Sequence, residues 1–360
     1  MRLIFLYVQH KSGVFYANRI KEEGYYHLLQ LLVRYKIVDE VLIVIETPGP
    51  TRSIMYPHSG VSGLLINDLQ SLALRDDDAI WCRGGFRSWH DTLKAWGKKG
   101  HWLIAYAANT GRERWLFWDV IFNDLIEESV LDGRGRFNLA WIKPISPVQF
   151  FLKEDVKTSY DLCIGSSYIH DKKAQWKVID ALTVYLSKYK TSLKCVMPGV
   201  FRHGVKTNRI PYKIQSYGLD IDFPGMISRT ALNELYNSSK MYIHLGGGGQ
   251  NDRGPLEALV CGCVVMIESP KRHAPFLRKA PSTVRIAKDG ASPEAIADDI
   301  HDMLTCWATP FRRSANNFFN YYCDPIAKIL PDMEKLFNVI KANRPPAPFT
   351  LVEEFREKQS

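Results

Sequence analysis

Cysteine is sparse and unpaired in this sequence: Cys82, Cys163, Cys195, Cys261, Cys263, Cys306 and Cys323 form an odd, scattered set with no CxxC spacing. Such a set argues for neither a disulfide framework nor a zinc site, and most of these thiols lie in apolar stretches where they serve as small hydrophobes. No apolar run approaches the length that spans a bilayer. No basic segment followed by an apolar stretch and a small-residue cleavage site opens the chain. A soluble, cytoplasmic protein is the expectation. Repeats at a solenoid period and long low-complexity tracts are also missing.

What is present is ordinary globular material, with hydrophobic residues at 46% and charged residues at 24% of 360. A chain of this size is expected to build two domains. The formal charge of +9 is unevenly spread: residues 1–150 hold 18 Lys and Arg against 16 Asp and Glu, leaving 29 against 22 in the remainder. Nucleic acid, an anionic membrane surface or the phosphates of a small ligand would each suit that excess.

Apolar runs at 3–8 and 41–45 flank a stretch, 20–35, in which Leu and Tyr recur at helical spacing. Strand, helix and strand at that interval predict a parallel βαβ unit. Strands at 79–82, 101–107 and 138–143, with a helix over 88–96, extend the series. Pro144 and Pro147 and the polar stretch 153–159 mark a linker, so an N-terminal domain over 1–150 is expected. A second set follows, with strands at 161–165, 193–197, 241–245 and 263–267 and helices at 171–189, 229–239 and 254–261. Ser292 and Pro293 cap a further helix reaching 304. Both halves read as α/β layers over buried parallel strands, the second over 151–308.

Residues 241–267, MYIHLGGGGQNDRGPLEALVCGCVVMI, carry the most chemical information. An apolar strand runs into Gly246, Gly247, Gly248 and Gly249, then a polar turn, then a helix starting near Pro255 with Glu257 expected in its first turn. Glycines let a backbone approach a bulky ligand, and the free amides of a helix start favour an anion such as a diphosphate. Glycine-rich strand-to-helix turns occur in many α/β proteins, so the run alone names no ligand.

Its surroundings are more specific. Phe223-Pro224-Gly225-Met226-Ile227-Ser228, then Leu232, Leu235 and Tyr236, then the strand and glycine turn, then Pro255-Leu256-Glu257-Ala258-Leu259 and Cys261-Gly262-Cys263-Val264-Val265 resemble the C-terminal domain of GT-B glycosyltransferases, particularly the family 4 type. The likeness covers 225–270 well and the rest of 160–305 loosely. It implies an α/β GT-B architecture, two Rossmann-like domains with parallel sheets facing a central cleft. It also implies transfer of a hexosyl or related sugar from a nucleotide-sugar co-substrate, with retention of configuration. No cofactor is expected, and no metal requirement.

By the same resemblance Glu257 binds the nucleotide ribose, and the glycine turn meets the donor sugar and phosphates. The family often has a second glutamate eight residues earlier, where this chain has Gly249. An arginine and a lysine usually clamp the diphosphate after the first strand of that domain. Here Ser166 stands at the arginine position, Lys172 or Lys173 takes the lysine role, and His170 adds a donor. Arg253, just before the donor helix, is a further cationic candidate; each of these cations also suits a solvated helix start.

In the first domain two loops, 82–90 and 106–115, follow strands, and ligands of open α/β sheets gather at strand carboxyl ends. They are the expected acceptor wall, with Arg83, Trp89, Asn109, Arg112 and Arg114 as contacts and Trp115, Phe117 and Trp118 as further stacking surfaces. Tryptophans at these spacings also suit core packing. His90, Glu113, Asp119 and Asp124 are candidate bases for an acceptor hydroxyl, although in a retaining enzyme the leaving phosphate can take the proton. The acceptor is expected to be a glycan or a lipid-linked sugar, with peripheral membrane contact compatible. A hydroxymethylated DNA base, as for phage base-glucosylating enzymes, and a non-catalytic nucleotide- or sugar-binding role are the alternatives. Residues 309–360 are expected as a closing block: 311–322 as a helix crossing back to the first domain, then a Pro-rich, charged tail.

Overall fold

The computed structural model describes residues 1–83, 87–106, 118–123, 130–131, 137–141, 143–165, 168–246, 253–268, 283–288, 290–307, 309–323 and 325–342. In chain order the elements are β1 (Arg2–Gln9), α1 (Gly13–Arg19), α2 (Gly24–Arg34), β2 (Glu40–Glu46), β3 (Arg52–Met55), β4 (Val61–Ile66), β5 (Ala79–Cys82), α3 (His90–Lys98), β6 (Trp102–Tyr106), β7 (Val120–Asn123), β8 (Val130–Leu131) and β9 (Phe137–Ala140). There follow β10 (Tyr160–Ile164), β11 (Tyr168–Ile169), α4 (Gln175–Tyr189), β12 (Cys195–Val196), β13 (Val200–Phe201), α5 (Ile210–Tyr217), β14 (Ile221–Asp222), α6 (Arg229–Asn237) and β15 (Ser239–His244). The last are α7 (Arg253–Val260), β16 (Val264–Glu268), β17 (Val284–Ala287), α8 (Pro293–Thr305), α9 (Thr309–Cys323) and α10 (Leu330–Ala342). The chain divides into two compact units, Met1–Ser146 with Pro325–Ser360, and Pro147–Asp324.

The first unit is built on one sheet in the order β3-β4-β2-β1-β5-β6-β7-β9-β8. Only its two edge strands, β3 and β8, run antiparallel to their neighbours. Side chains of β1 alternate between two cores, as the period of a strand requires. Leu3, Phe5 and Tyr7 pack with Leu28 and Leu32 of α2, while Ile4 and Leu6 pack with Leu93 and Trp96 of α3. The helix expected over 20–35 starts only at Gly24, after a separate α1 and a 3-10 turn at Ile20–Glu22. A side chain at position 24 would overlap the Pro144 carbonyl, so the glycine lets the helix start pass that backbone.

The second unit carries six parallel strands in the order β14-β12-β10-β15-β16-β17, with β11 and β13 paired apart from them. Numbered by succession within the sheet this is 3-2-1-4-5-6, the doubly wound order in which the chain reverses direction between β10 and β15. Val178, Ile179, Leu182 and Tyr185 of α4 pack with Ile296, Ala297 and Ile300 of α8 on one face. Helix α6 is capped by Ser228 and α8 by Ser292, each accepting from the amide three residues on. Gly262, at φ +91°, ends α7 with its amide on the Leu259 carbonyl.

The closing segment is shared between the units rather than forming one block. Helix α9 belongs to the second: its buried Arg312 donates to the carbonyls of Lys153 (3.2 Å), Val156 (3.2 Å) and Asn237 (2.9 Å), and Asn316 donates to that of Val260 (2.6 Å). Three carbonyls facing one guanidinium fix the helix there, so 311–322 is part of the second unit. That role falls to α10, whose Met333, Leu336, Phe337 and Ile340 recur at helical spacing and enter the core of β1 and α2. Phe337→Ala is expected to cost the first unit about 3–5 kcal/mol. Urea unfolding followed by tryptophan fluorescence checks this, and an unchanged midpoint would remove α10 from that core.

Candidate functional site

The second sheet offers one place where its topology opens a crevice, the carboxyl ends of β10 and β15. Three chain segments meet there because glycine leaves room. Gly165 follows β10 and Gly254 lies in the first turn of α7, and a Cβ at either would overlap the Tyr242 hydroxyl. Tyr242, on β15, is fully buried, so its ring sets how closely the start of α7 approaches the end of β10. Gly246, just beyond β15, lies against the backbone of Lys173, which a Cβ would overlap.

Gly165 and the segment from Tyr168 to His170 are held by Gln175, the first residue of α4. This buried amide donates to the carbonyls of Tyr168 (3.0 Å) and Gly165 (3.4 Å) and accepts from the His170 amide (3.4 Å). His170 caps a 3-10 turn over Asp171–Lys173, its Nδ1 accepting from the Lys172 amide at 3.2 Å. Burial, then Lys173, Arg202 and Lys172, push the imidazole below its ordinary value. With Nδ1 accepting, the neutral ring carries its proton on Nε2, a hydrogen-bond donor. Asp171 is consumed by the loop, accepting from the amide (2.8 Å) and hydroxyl (2.7 Å) of Thr207. Lys172 is exposed and Lys173 half-buried.

Glu257 lies in the second turn of α7, not the first, because the helix starts at Arg253. Its carboxylate is nearly buried and meets Arg229 Nη1 at 3.2 Å. Arg229, the first residue of α6, was not singled out from sequence; the Ser228 cap that places it was visible, but not the packing of α6 beside α7. Arg253 is half-buried at the mouth of the same helix. The structure thus gathers Gly246, Arg253, Lys173 and the Gly165 loop, with Glu257 one turn deeper. Ser166, Gly247, Gly248 and Gly249 lie outside the described residues.

In the first unit the corresponding reversal falls between β1 and β5. Arg83 leaves the end of β5 but is committed to the fold: Nη2 lies 3.0 Å from the buried Glu23 carboxylate, and the guanidinium sits 4.7 Å from the Tyr7 ring centre. Tyr7 donates to the other oxygen of Glu23 at 2.9 Å. Trp89 is buried in the core beside α3 and donates its indole N–H to Glu46, so it presents no face to an acceptor. Trp118 is buried in the same core. His90 opens α3, half-buried, and keeps its place as a candidate. Asn109, Arg112, Glu113, Arg114, Trp115, Phe117 and Asp124 lie outside the described residues.

Asp119 is at the wrong edge for a base. It precedes β7 and accepts from the amide of Leu103, near the start of β6, at 2.7 Å, so it lies at the amino edge of the strands. Burial pushes its carboxyl up to about 7, with the Leu103 amide partly opposing. Among the described residues no group of three or more His, Cys, Asp or Glu is arranged to hold a metal ion, and no helix is long and apolar enough to cross a membrane.

Three solved structures with similar folds span essentially the whole chain. Sucrose-phosphate synthase from Thermosynechococcus elongatus aligns at TM-score 0.64 and 12% identity, covering 95% of this chain and 100% of its own. The trehalose-6-phosphate synthase OtsA gives 0.64, 11%, 96% and 100%. HepE of Anabaena, in complex with UDP, gives 0.65, 14%, 94% and 100%. The chain has the GT-B fold. Each of its two units is a Rossmann-like domain, as the two strand orders require. No protein-family model matches the sequence, and no curated protein matches it either. At these identities the likeness concerns architecture, and residue roles rest on the geometry above.

Gly246→Ala would force the Lys173 backbone away from β15, and is expected to weaken binding of a nucleoside diphosphate by at least roughly tenfold while the chain stays folded. Calorimetry beside a thermal melt tests this; full affinity in a folded variant would detach the turn from the site. Asp119 supplies a pH test. The folded chain keeps this proton to about pH 7, whereas an unfolded Asp releases it near 4, so the favourable contribution is complete below about pH 4 and lost as pH rises to about 7. Asp119→Asn is expected to flatten stability between those limits, gaining up to roughly 4 kcal/mol over the parent at pH 8. Parallel pH profiles for the two proteins would contradict that assignment.

Proposed function

We propose that this chain is a glycosyltransferase that moves a hexosyl or related sugar from a nucleotide-sugar to an acceptor hydroxyl, with the donor held by the second unit. The observation that carries the reading is the convergence at the reversal of the second sheet, where Gly165 and Gly254 both pack on the Tyr242 ring and Gly246 lies against the Lys173 backbone, so that a side chain at any of the three would overlap a neighbour. A diphosphate seated there would accept from α7 amides and meet Lys172, Lys173, Arg253 and the Nε2–H of His170. Breaking the bond between sugar and phosphate concentrates negative charge on the leaving oxygen. Donors already aimed at that oxygen lower the barrier without reorganising. Glu257, deeper on α7, is suited to accept from ribose hydroxyls. HepE in complex with UDP, and HepE in complex with UDP and glucose, support a nucleotide-sugar as the donor class.

The finer reading is a family 4-like, retaining transferase acting on a glycan or lipid-linked acceptor in the cytoplasm, without a metal or cofactor. In that reading the departing phosphate takes the acceptor proton, which suits the removal of Asp119 from the candidate bases. His90 and Glu113 stay as acceptor-side candidates. Transfer to a DNA base is disfavoured because Trp89 is buried and Arg83 is held by Glu23.

Glu257→Ala is expected to weaken the preferred nucleoside diphosphate by roughly tenfold or more, the scale of hydrogen bonds to a charged acceptor. A panel of nucleotide-sugars read by calorimetry, with sugar release into water as a second readout, identifies the donor. Unchanged affinity in the variant would reject the donor site. Binding with no sugar release or transfer would favour a non-catalytic role.

A further inference from the structure

We propose that Arg229 is the positioning residue of the donor pocket: its guanidinium takes one oxygen of Glu257 so that the other is held for a ribose hydroxyl. This deepens the donor reading above and rests on it. Arg229 Nη1 lies 3.2 Å from Glu257 Oε1, and the two side chains are 16% and 7% exposed, so the pair is screened from water. A carboxylate with that little solvent has no bulk water to fix its rotamer or hydrate its lone pairs. The orienting contact must come from the protein, and a guanidinium supplies it with a fixed planar geometry that a more flexible ammonium lacks.

Arg229 is itself fixed. It is the first residue of α6, directly after Ser228, whose hydroxyl accepts from the Ala231 amide at 3.1 Å. Its guanidinium lies 5.8 Å from the centre of the Phe150 ring. Helix α7 is set by Tyr242 against Gly254. The carboxylate is therefore placed from two helices at once, α7 carrying it and α6 aiming it. Tyr236 of α6 and Cys261, directly after α7, which also interact with Glu257, are buried groups whose protons burial retains. Neither competes with Arg229 as a cation.

The inference separates hydroxyl recognition from the rest of donor binding. Ribonucleoside 5′-diphosphates of uracil, guanine and adenine, and their 2′,3′-dideoxy forms, are titrated into the full chain and into Glu257→Ala, Arg229→Gln and Arg229→Lys variants. The parent is expected to prefer the ribo form of its best base by roughly tenfold or more. Arg229→Gln should lose most of that preference while keeping its affinity for the dideoxy form, and Arg229→Lys should recover part of it. An equal loss for ribo and dideoxy forms would mean that Arg229 only supports the fold, overturning the proposal. Should Arg229→Gln fail to fold, Arg229→Lys decides alone: retention of the parent's full preference overturns it. If Glu257→Ala keeps the preference, or no diphosphate binds the parent, the donor reading itself fails.

Discussion

Three backbone positions with no side chain let β10, β15 and α7 come together, and the proposed chemistry depends on that closeness. Tyr242 occupies the space that side chains at 165 and 254 would need, so one buried ring sets the height of α7 above the sheet. Gly246 brings the end of β15 onto the Lys173 backbone. In an open parallel sheet the crevice at the reversal point exists for topological reasons, because neighbouring connections leave on opposite faces there. Glycine decides how much backbone can line it. The start of α7 then comes close to the end of β10, and the free amides of a helix start are donors suited to a phosphate group.

The acidic groups of the interior divide by what faces them. Glu23 meets Arg83, Glu257 meets Arg229, and Glu268, at the end of β16, meets Lys177. Asp119 faces a backbone amide at the other edge of its sheet, and burial dominates its titration. A cationic partner makes burial of a carboxylate tolerable, and removing either member leaves an uncompensated charge. Arg83 shows the consequence for function: an arginine at the ligand edge of a sheet looks available in sequence, yet it is half-buried, paired with Glu23 and laid against the Tyr7 and Tyr25 rings.

Most of the architecture was legible because parallel strands announce themselves as short apolar runs. The runs at 3–8, 41–45, 161–165, 241–245 and 263–267 all became strands of the two sheets. Strands with weaker signals escaped notice: β4 is interrupted by Gly63, which the Tyr56 ring needs for space, and β14 is two residues long. The units part between Ser146 and Pro147, and the chain returns to the first unit at Pro325, which no local pattern marks as a crossing. Helix 311–322 carries basic and aromatic residues suited to either unit. Its allegiance is set by three carbonyls from distant parts of the chain, and no spacing rule reports them.

The site divides the same way. Gly246 and Glu257 were found because strand, glycine turn and helix are consecutive in sequence, so local pattern carries them. Arg229 was missed because its partner is 28 residues away and becomes a neighbour only when α6 and α7 pack side by side. Trp89 stayed open between two readings for the same reason in reverse, since a tryptophan after a strand suits both a binding face and a core, and only the position of Glu46 on β2 chooses between them. Sequence pattern specifies which backbone can approach a ligand. Which side chains remain for that ligand is decided by the contacts that folding has already taken up.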